Sequence, residues 1–258
     1  MMEKISRTEL EEIFRLKYGD PSKTGWGPRM RYRMDHFSPD DHYEALLNRI
    51  IGRGCHWIDV GCGRDIFPSN KNLANILSKR CGLLVGVDPS ENVEENPFVH
   101  LKVKSAIEEY NVDKVFDVAT FRMVVEHIQD PRRTIDILKR LIRPGGKVVI
   151  YTVNRWSPVT VVSSCMPFSL HHPIKRIFWN TEEKDTFPAV YKMNTRKQLS
   201  HLFADCGFTE IFFTYLDDCR MFDRFRFLSF INLHFLRFIK KIKFRYPDNC
   251  LLAVYEKN

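Results

Sequence analysis

What this sequence lacks narrows its function first. Its seven cysteines, at 55, 62, 81, 165, 206, 219 and 250, form no C-x-x-C pair and no histidine-linked metal pattern. That argues for reduced, mostly buried thiols and a cytoplasmic setting, and no metal site is expected. The first residues, M-M-E-K-I-S-R-T-E-L-E-E, include acids and no apolar core of signal-peptide length, so export is not expected. No internal repeat or low-complexity linker breaks the 258 residues, which points to one principal domain. In the C-terminal part the longest uncharged run is Phe227 to Leu236. A membrane span would need about 20 mainly apolar residues.

What is present centres on W-I-D-V-G-C-G-R-D, residues 57 to 65, an apolar strand running into a turn on Gly61 and Gly63. Glycines there let backbone come close to a bound small molecule, and Asp59 adds a carboxylate at the strand end. A second buried-looking strand, L-L-V-G-V-D-P-S, ends in Asp88, 25 residues beyond Gly63. A carboxylate at that tip suits two ribose hydroxyls. A dinucleotide fold would want a third glycine where Ile66 stands, so the nicotinamide reading weakens. Downstream, residues 116 to 131 read as a fourth strand, a turn and a helix approach, and Pro144-Gly145-Gly146 leads into a fifth strand.

On these motifs the chain resembles the Rossmann-like S-adenosylmethionine-dependent methyltransferases, in the small-molecule group related to the ubiquinone-biosynthesis enzymes, over roughly residues 53 to 153. The resemblance implies S-adenosylmethionine as cofactor, with Asp59, Gly61 and Gly63 along its methionine part and Asp88 on the ribose. It also sets Ser105 and Ala106 at the adenine, and Phe121 and Arg122 beside the cofactor. Asp65 stands where the family has a third glycine, and the expectation is that its carboxylate turns away to cap the next helix. The acid that some relatives place three residues before the Glu of the E-H pair, as part of a metal site, is Met123 here.

The expected fold is α/β: a doubly wound, mostly parallel seven-stranded sheet with helices on both faces, its last strand antiparallel. Helices are expected at Thr8 to Lys17, Pro39 to Ile51, 69 to 80, 131 to 142 and 195 to 206, with residues 19 to 29 as turns. One domain would divide into an N-terminal helical lid (1–52), a cofactor core (53–153), a substrate cap after strand five (154–194) and a C-terminal sheet portion (195–258). The last portion carries a basic, aromatic helical insertion between strands six and seven, residues 219 to 244.

Because a sulfonium methyl is already electrophilic, the protein's main task would be alignment and water exclusion. A base for an oxygen or nitrogen acceptor could be His127, or His171 or His172 in the cap, while Tyr151 and Asn154 could orient the acceptor. Arg29, Arg31 or Tyr32 could meet the cofactor carboxylate. From residue 219 onward nine Lys or Arg face three Asp or Glu, so most of the formal +8 is local. That basic stretch suits a membrane surface or an acceptor bearing lipid or phosphate; nucleic acid and a plain solvated face stay open. The acceptor is expected to be small or carrier-linked, with an RNA or protein methyltransferase, or a non-catalytic cofactor-binding module, as alternatives.

Overall fold

A computed structural model describes residues 1–112, 115–165, 189–220, 222–242 and 248–258. The N-terminal segment, for which lid is only a label, opens with α1 (Arg7–Tyr18), whose Ser6 cap and Glu9 form a reciprocal capping box. It continues through α2 (Trp26–Arg33) to α3 (Pro39–Ile50), capped by Ser38 and Asp41 with Pro39 in the first turn. α2 corrects the expectation of turns from 19 to 29. Pro28 lies in its first turn, where backbone N–H groups have no partner in the helix, so a Gly- and Pro-rich run still winds.

The core alternates β1 (His56–Val60), α4 (Lys71–Arg80), β2 (Leu83–Asp88), β3 (Leu101–Lys104), β4 (Phe116–Arg122), α5 (Pro131–Leu141) and β5 (Ile142–Val153). Then come α6 (Pro158–Cys165), α7 (Arg196–Asp205), β6 (Phe208–Leu216), α8 (Arg226–Ile242) and β7 (Cys250–Lys257). The sheet order is β3-β2-β1-β4-β5-β7-β6, parallel except for β7, which runs antiparallel to β5 and β6. The expected doubly wound architecture is therefore present. Thr195 caps α7, as the Asn194-Thr195 pair suggests.

Side chains alternate across a strand, and here both faces are covered. Trp57, Leu84, Val118, Val149 and Leu252 face α1, α3 and α4, whereas Ile58, Val85, Ala119, Ile150 and Leu251 face α5 and α7. Double coverage explains why the strands read as nearly continuous apolar runs. A small third cluster joins Cys219, Leu233 and Leu236 to Met30 and Met34, and so seats α8 on α2.

Candidate functional site

β1, β2 and β4 are mutually parallel, which brings the tips Val60, Asp88 and Arg122 to one edge, where open α/β sheets bind ligands. Past Val60 the chain turns through Gly61 and Gly63, with φ of 71° and 48°. A Cβ on Gly61 would collide with the Val124 side chain, so both conformation and packing demand glycine there. A Cβ on Gly63 would meet nothing within 4 Å, leaving an open cradle. Gly61 N–H donates to Val87 O (2.7 Å) and Gly63 N–H to Asp88 Oδ2 (3.0 Å). Those two donors close the turn onto β2, so what the turn offers a ligand is space.

Asn96 was not legible in the sequence and sits at the centre of this turn. Fully buried, it donates from Nδ2 to Cys62 O (3.2 Å) and Gly63 O (3.0 Å). Nothing local in E-N-V-E-E-N separates it from Asn92. Gly86 was missed for a similar reason: a Cβ there would press to 2.6 Å from Cys62 Sγ, a contact visible only across strands.

Asp88 accepts from Ser90 N–H (2.8 Å) and Ser90 Oγ (2.6 Å) on Oδ1, and from Gly63 on Oδ2. A carboxylate has about four acceptor positions, so one remains on Oδ2 for a hydroxyl, and a second hydroxyl would take the place of Ser90 Oγ. Ser105 N–H donates to the Asp88 carbonyl (3.1 Å), which sets Ser105 and Ala106 beside the same tip. Asp59 is buried, and its Oδ1 accepts from Thr120 Oγ1 (2.5 Å), which in turn accepts from Trp57 Nε1 (2.7 Å). Burial pushes the Asp59 carboxyl up to about 7, a shift that the Thr120 bond and Arg122 oppose.

Asp65 does not cap the helix. Asn70 does, accepting from Leu73 N–H, because α4 begins at Lys71; the Asp65 carboxylate lies 3.8 Å from the Lys71 ammonium.

The other candidates disperse. Phe121 is fully buried among core side chains. Arg122 bonds Asp40 Oδ1 (3.0 Å), whose other oxygen takes Arg220 (2.5 Å). Arg31 is buried and pairs with Asp223, while Tyr32 packs against Phe14 and Phe37. Tyr151 is buried with its ring 5.2 Å from Tyr43, and burial holds its phenol well above the usual value. Asn154 donates to Asp248 O (2.9 Å) and accepts from Trp156 N–H (3.2 Å). His127 ends a single 3-10 turn, Val125–His127, just beyond β4 and is half-buried. Its neighbour Glu126 accepts from Thr152 Oγ1 (2.7 Å). His171 and His172 lie outside the described residues.

Comparison with known proteins bears on this geometry. The profile of the methyltransferase domain family matches residues 30–211, which take in the glycine turn, Asp88, Ser105, Arg122, His127 and Tyr151. The chain belongs to the methyltransferase domain family. A ubiquinone biosynthesis O-methyltransferase of Coxiella burnetii is 26% identical over 160 residues, 58% of this chain and 66% of the relative. The chain thus spans just under two thirds of that relative's length. Two solved structures share the fold. A geranyl diphosphate C-methyltransferase from Streptomyces coelicolor, solved with Mg2+, geranyl diphosphate and S-adenosyl-L-homocysteine, has a TM-score of 0.52 at 15% identity, covering 100% of this chain and 90% of that one. An S-adenosylmethionine-dependent methyltransferase from Listeria monocytogenes, described as putative, has a TM-score of 0.52 at 13% identity, covering 85% and 98%. The methyltransferase-domain match ends before α8.

Proposed function

We propose that this methyltransferase-domain protein transfers a methyl group from S-adenosylmethionine to an oxygen or nitrogen of a small or carrier-linked molecule. The observation that carries the reading is the pairing of an open Gly63 cradle with the Asp88 carboxylate, held together by the Gly63 N–H at 3.0 Å. The family profile and the O-methyltransferase likeness support it. When bound, S-adenosylmethionine supplies a methyl group already activated by its sulfonium.

The chain's own residues then have three tasks. Asp88 orients the ribose, with Ser105 and Ala106 beside it. The Gly61–Gly63 turn, fixed by Asn96, leaves room for the methionine part and holds its shape before binding, so little ordering accompanies it. His127, at the mouth beyond β4, is the described group best placed to take an acceptor proton. Tyr151, buried and kept neutral, supports the wall and is not a proton acceptor. A carrier-linked or phosphate-bearing acceptor is favoured by an open groove of about 1030 Å³ lined by Arg132, Arg155, Trp156, Lys192 and Lys197.

Calorimetric titration with S-adenosylmethionine and S-adenosylhomocysteine tests the reading. We expect micromolar-range binding that Asp88→Ala weakens by about tenfold or more. Absence of binding by both compounds would sink it.

A further inference from the structure

The helix α8 lies beyond the family match. It packs one seam, Ser229, Leu233, Leu236 and Ile239, onto the lid, where a ring nitrogen of His36 bonds Leu233 O at 3.1 Å. At about 100° per residue, the side away from that seam carries Phe227, Leu228, Ile231, Phe235, Phe238 and Ile242 within an arc of about 100°. All six are exposed, from 45% for Leu228 to 75% for Phe227. Arg226, Arg237 and Lys241 lie on one flank between seam and arc, and no Asp or Glu occurs in the helix.

A contiguous apolar face of this kind is an interaction surface, because folding gains nothing from leaving it in water. We propose that α8 lies in the plane of an anionic phospholipid bilayer surface, its six apolar side chains among the headgroups and acyl boundary, its flanking cations on lipid phosphates. Charge selects this occupant. A second copy meeting the face antiparallel would set cations against cations, and one meeting it parallel would leave them without partners, since no acid lies on the helix. Nucleic acid would bring phosphates to an outermost side that carries no charge, and the phenylalanines there lie among aliphatic side chains instead of in the cationic groove that tracks a nucleic-acid backbone. No helix among the described residues is long and apolar enough to cross a membrane, which is consistent with in-plane docking. The ion pairs Arg31–Asp223 and Arg220–Asp40 anchor the segment before α8, so the face is presented on a fixed base.

The inference stands apart from methyl transfer and is tested separately. The full chain is pelleted with vesicles of phosphatidylcholine, with and without phosphatidylglycerol, while S-adenosylhomocysteine titration and circular dichroism report on the fold. We expect at least about tenfold stronger partition onto the anionic vesicles, weakening with salt. Phe235→Glu with Phe238→Glu lowers it about tenfold or more, and Arg237→Glu with Lys241→Glu lowers it comparably, with S-adenosylhomocysteine binding unchanged. Equal partition onto neutral and anionic vesicles overturns the proposal, as does failure to pellet with either. A doubling of mass in light scattering that the Phe235→Glu, Phe238→Glu variant abolishes would overturn it in favour of self-association.

Discussion

The glycine turn and the lid sit side by side at the same sheet edge but are held by different forces. At the turn they are uncharged or singly charged hydrogen bonds that each end on a backbone group of the turn: Gly61 N–H to Val87 O, Asn96 to the Cys62 and Gly63 carbonyls, Gly63 N–H to Asp88. In the lid they are ion pairs. Lys17 bridges Asp41 and Glu44, Asp40 lies between Arg122 and Arg220, and Arg31 meets Asp223. A turn fixed by shape is sensitive to added volume, and a network fixed by charge balance is sensitive to a missing charge.

Removing one charge from the lid therefore has the largest expected effect. Asp40→Ala leaves Arg122 and Arg220 without their shared partner in a largely buried place, and should cost about 3 kcal/mol in urea denaturation. Asp40→Asn keeps the shape and loses the charge. If it proves harmless, the network is held by packing and the contrast fails.

At the turn the expected effects follow volume. Gly61→Ala adds a Cβ against Val124 at a positive φ, and should cost about 2 kcal/mol of stability. Gly63→Ala adds one into open space at a positive φ, costing about 1 kcal/mol. Its Cβ instead occupies the cradle, so S-adenosylhomocysteine affinity should fall more than stability does. Equal stability losses at the two glycines would blur the distinction between a packing glycine and a binding one.

These forces also explain what the sequence made readable. The strands, the order of elements, the Thr195 cap and the Gly61–Gly63–Asp88 edge rest on local periodicity and short spacings. The lid network rests on pairs 180 and 192 residues apart, Asp40 with Arg220 and Arg31 with Asp223, and no local pattern encodes such distances. A cation in an aromatic stretch near the edge suggests a ligand for the cofactor carboxylate, yet the Arg31 guanidinium meets Asp223. Asn96 and Gly86 escaped because their partners lie on other strands and loops.

Acidity should separate Asp59 from Asp40 by sign. Burial pushes the Asp59 carboxyl up to about 7, so the folded state holds its proton more tightly than the unfolded chain does. That contribution is complete below about pH 4 and is lost as pH rises through about 7. For Asp40 burial acts upward, but Arg122 and Arg220 outweigh it and hold the carboxyl well below the usual range. Its contribution is present at neutral pH and lost only in strong acid. Asp59→Asn, neutral throughout and still an acceptor for Thr120, should be more stable than the native protein by about 1 kcal/mol at pH 8 and no more stable at pH 5. Burial also raises Glu44 and Asp217 to about 7, so both proteins keep some decline with pH, and the variant's is shallower. Identical slopes would remove Asp59 from this account.

The smallest effect is expected at Asp65, where the two regimes meet: a carboxylate in the glycine turn, yet engaged by charge. By the resemblance to the methyltransferases it would stand in the place of a third glycine, where its charge would oppose the cofactor carboxylate. Its side chain is 21% exposed and lies 3.8 Å from Lys71, a separation too long for a strong bond but short enough to draw the charge toward the start of α4. Asp65→Gly should then change stability by less than about 1 kcal/mol, since so long a pair with a well-solvated lysine contributes little. S-adenosylhomocysteine affinity should shift by less than about threefold, equivalent to roughly 0.6 kcal/mol. A tightening of tenfold or more would mean that the carboxylate faces the cofactor after all. Lys71→Ala discriminates further: if Lys71 draws Asp65 aside, removing it weakens cofactor binding only while Asp65 is present.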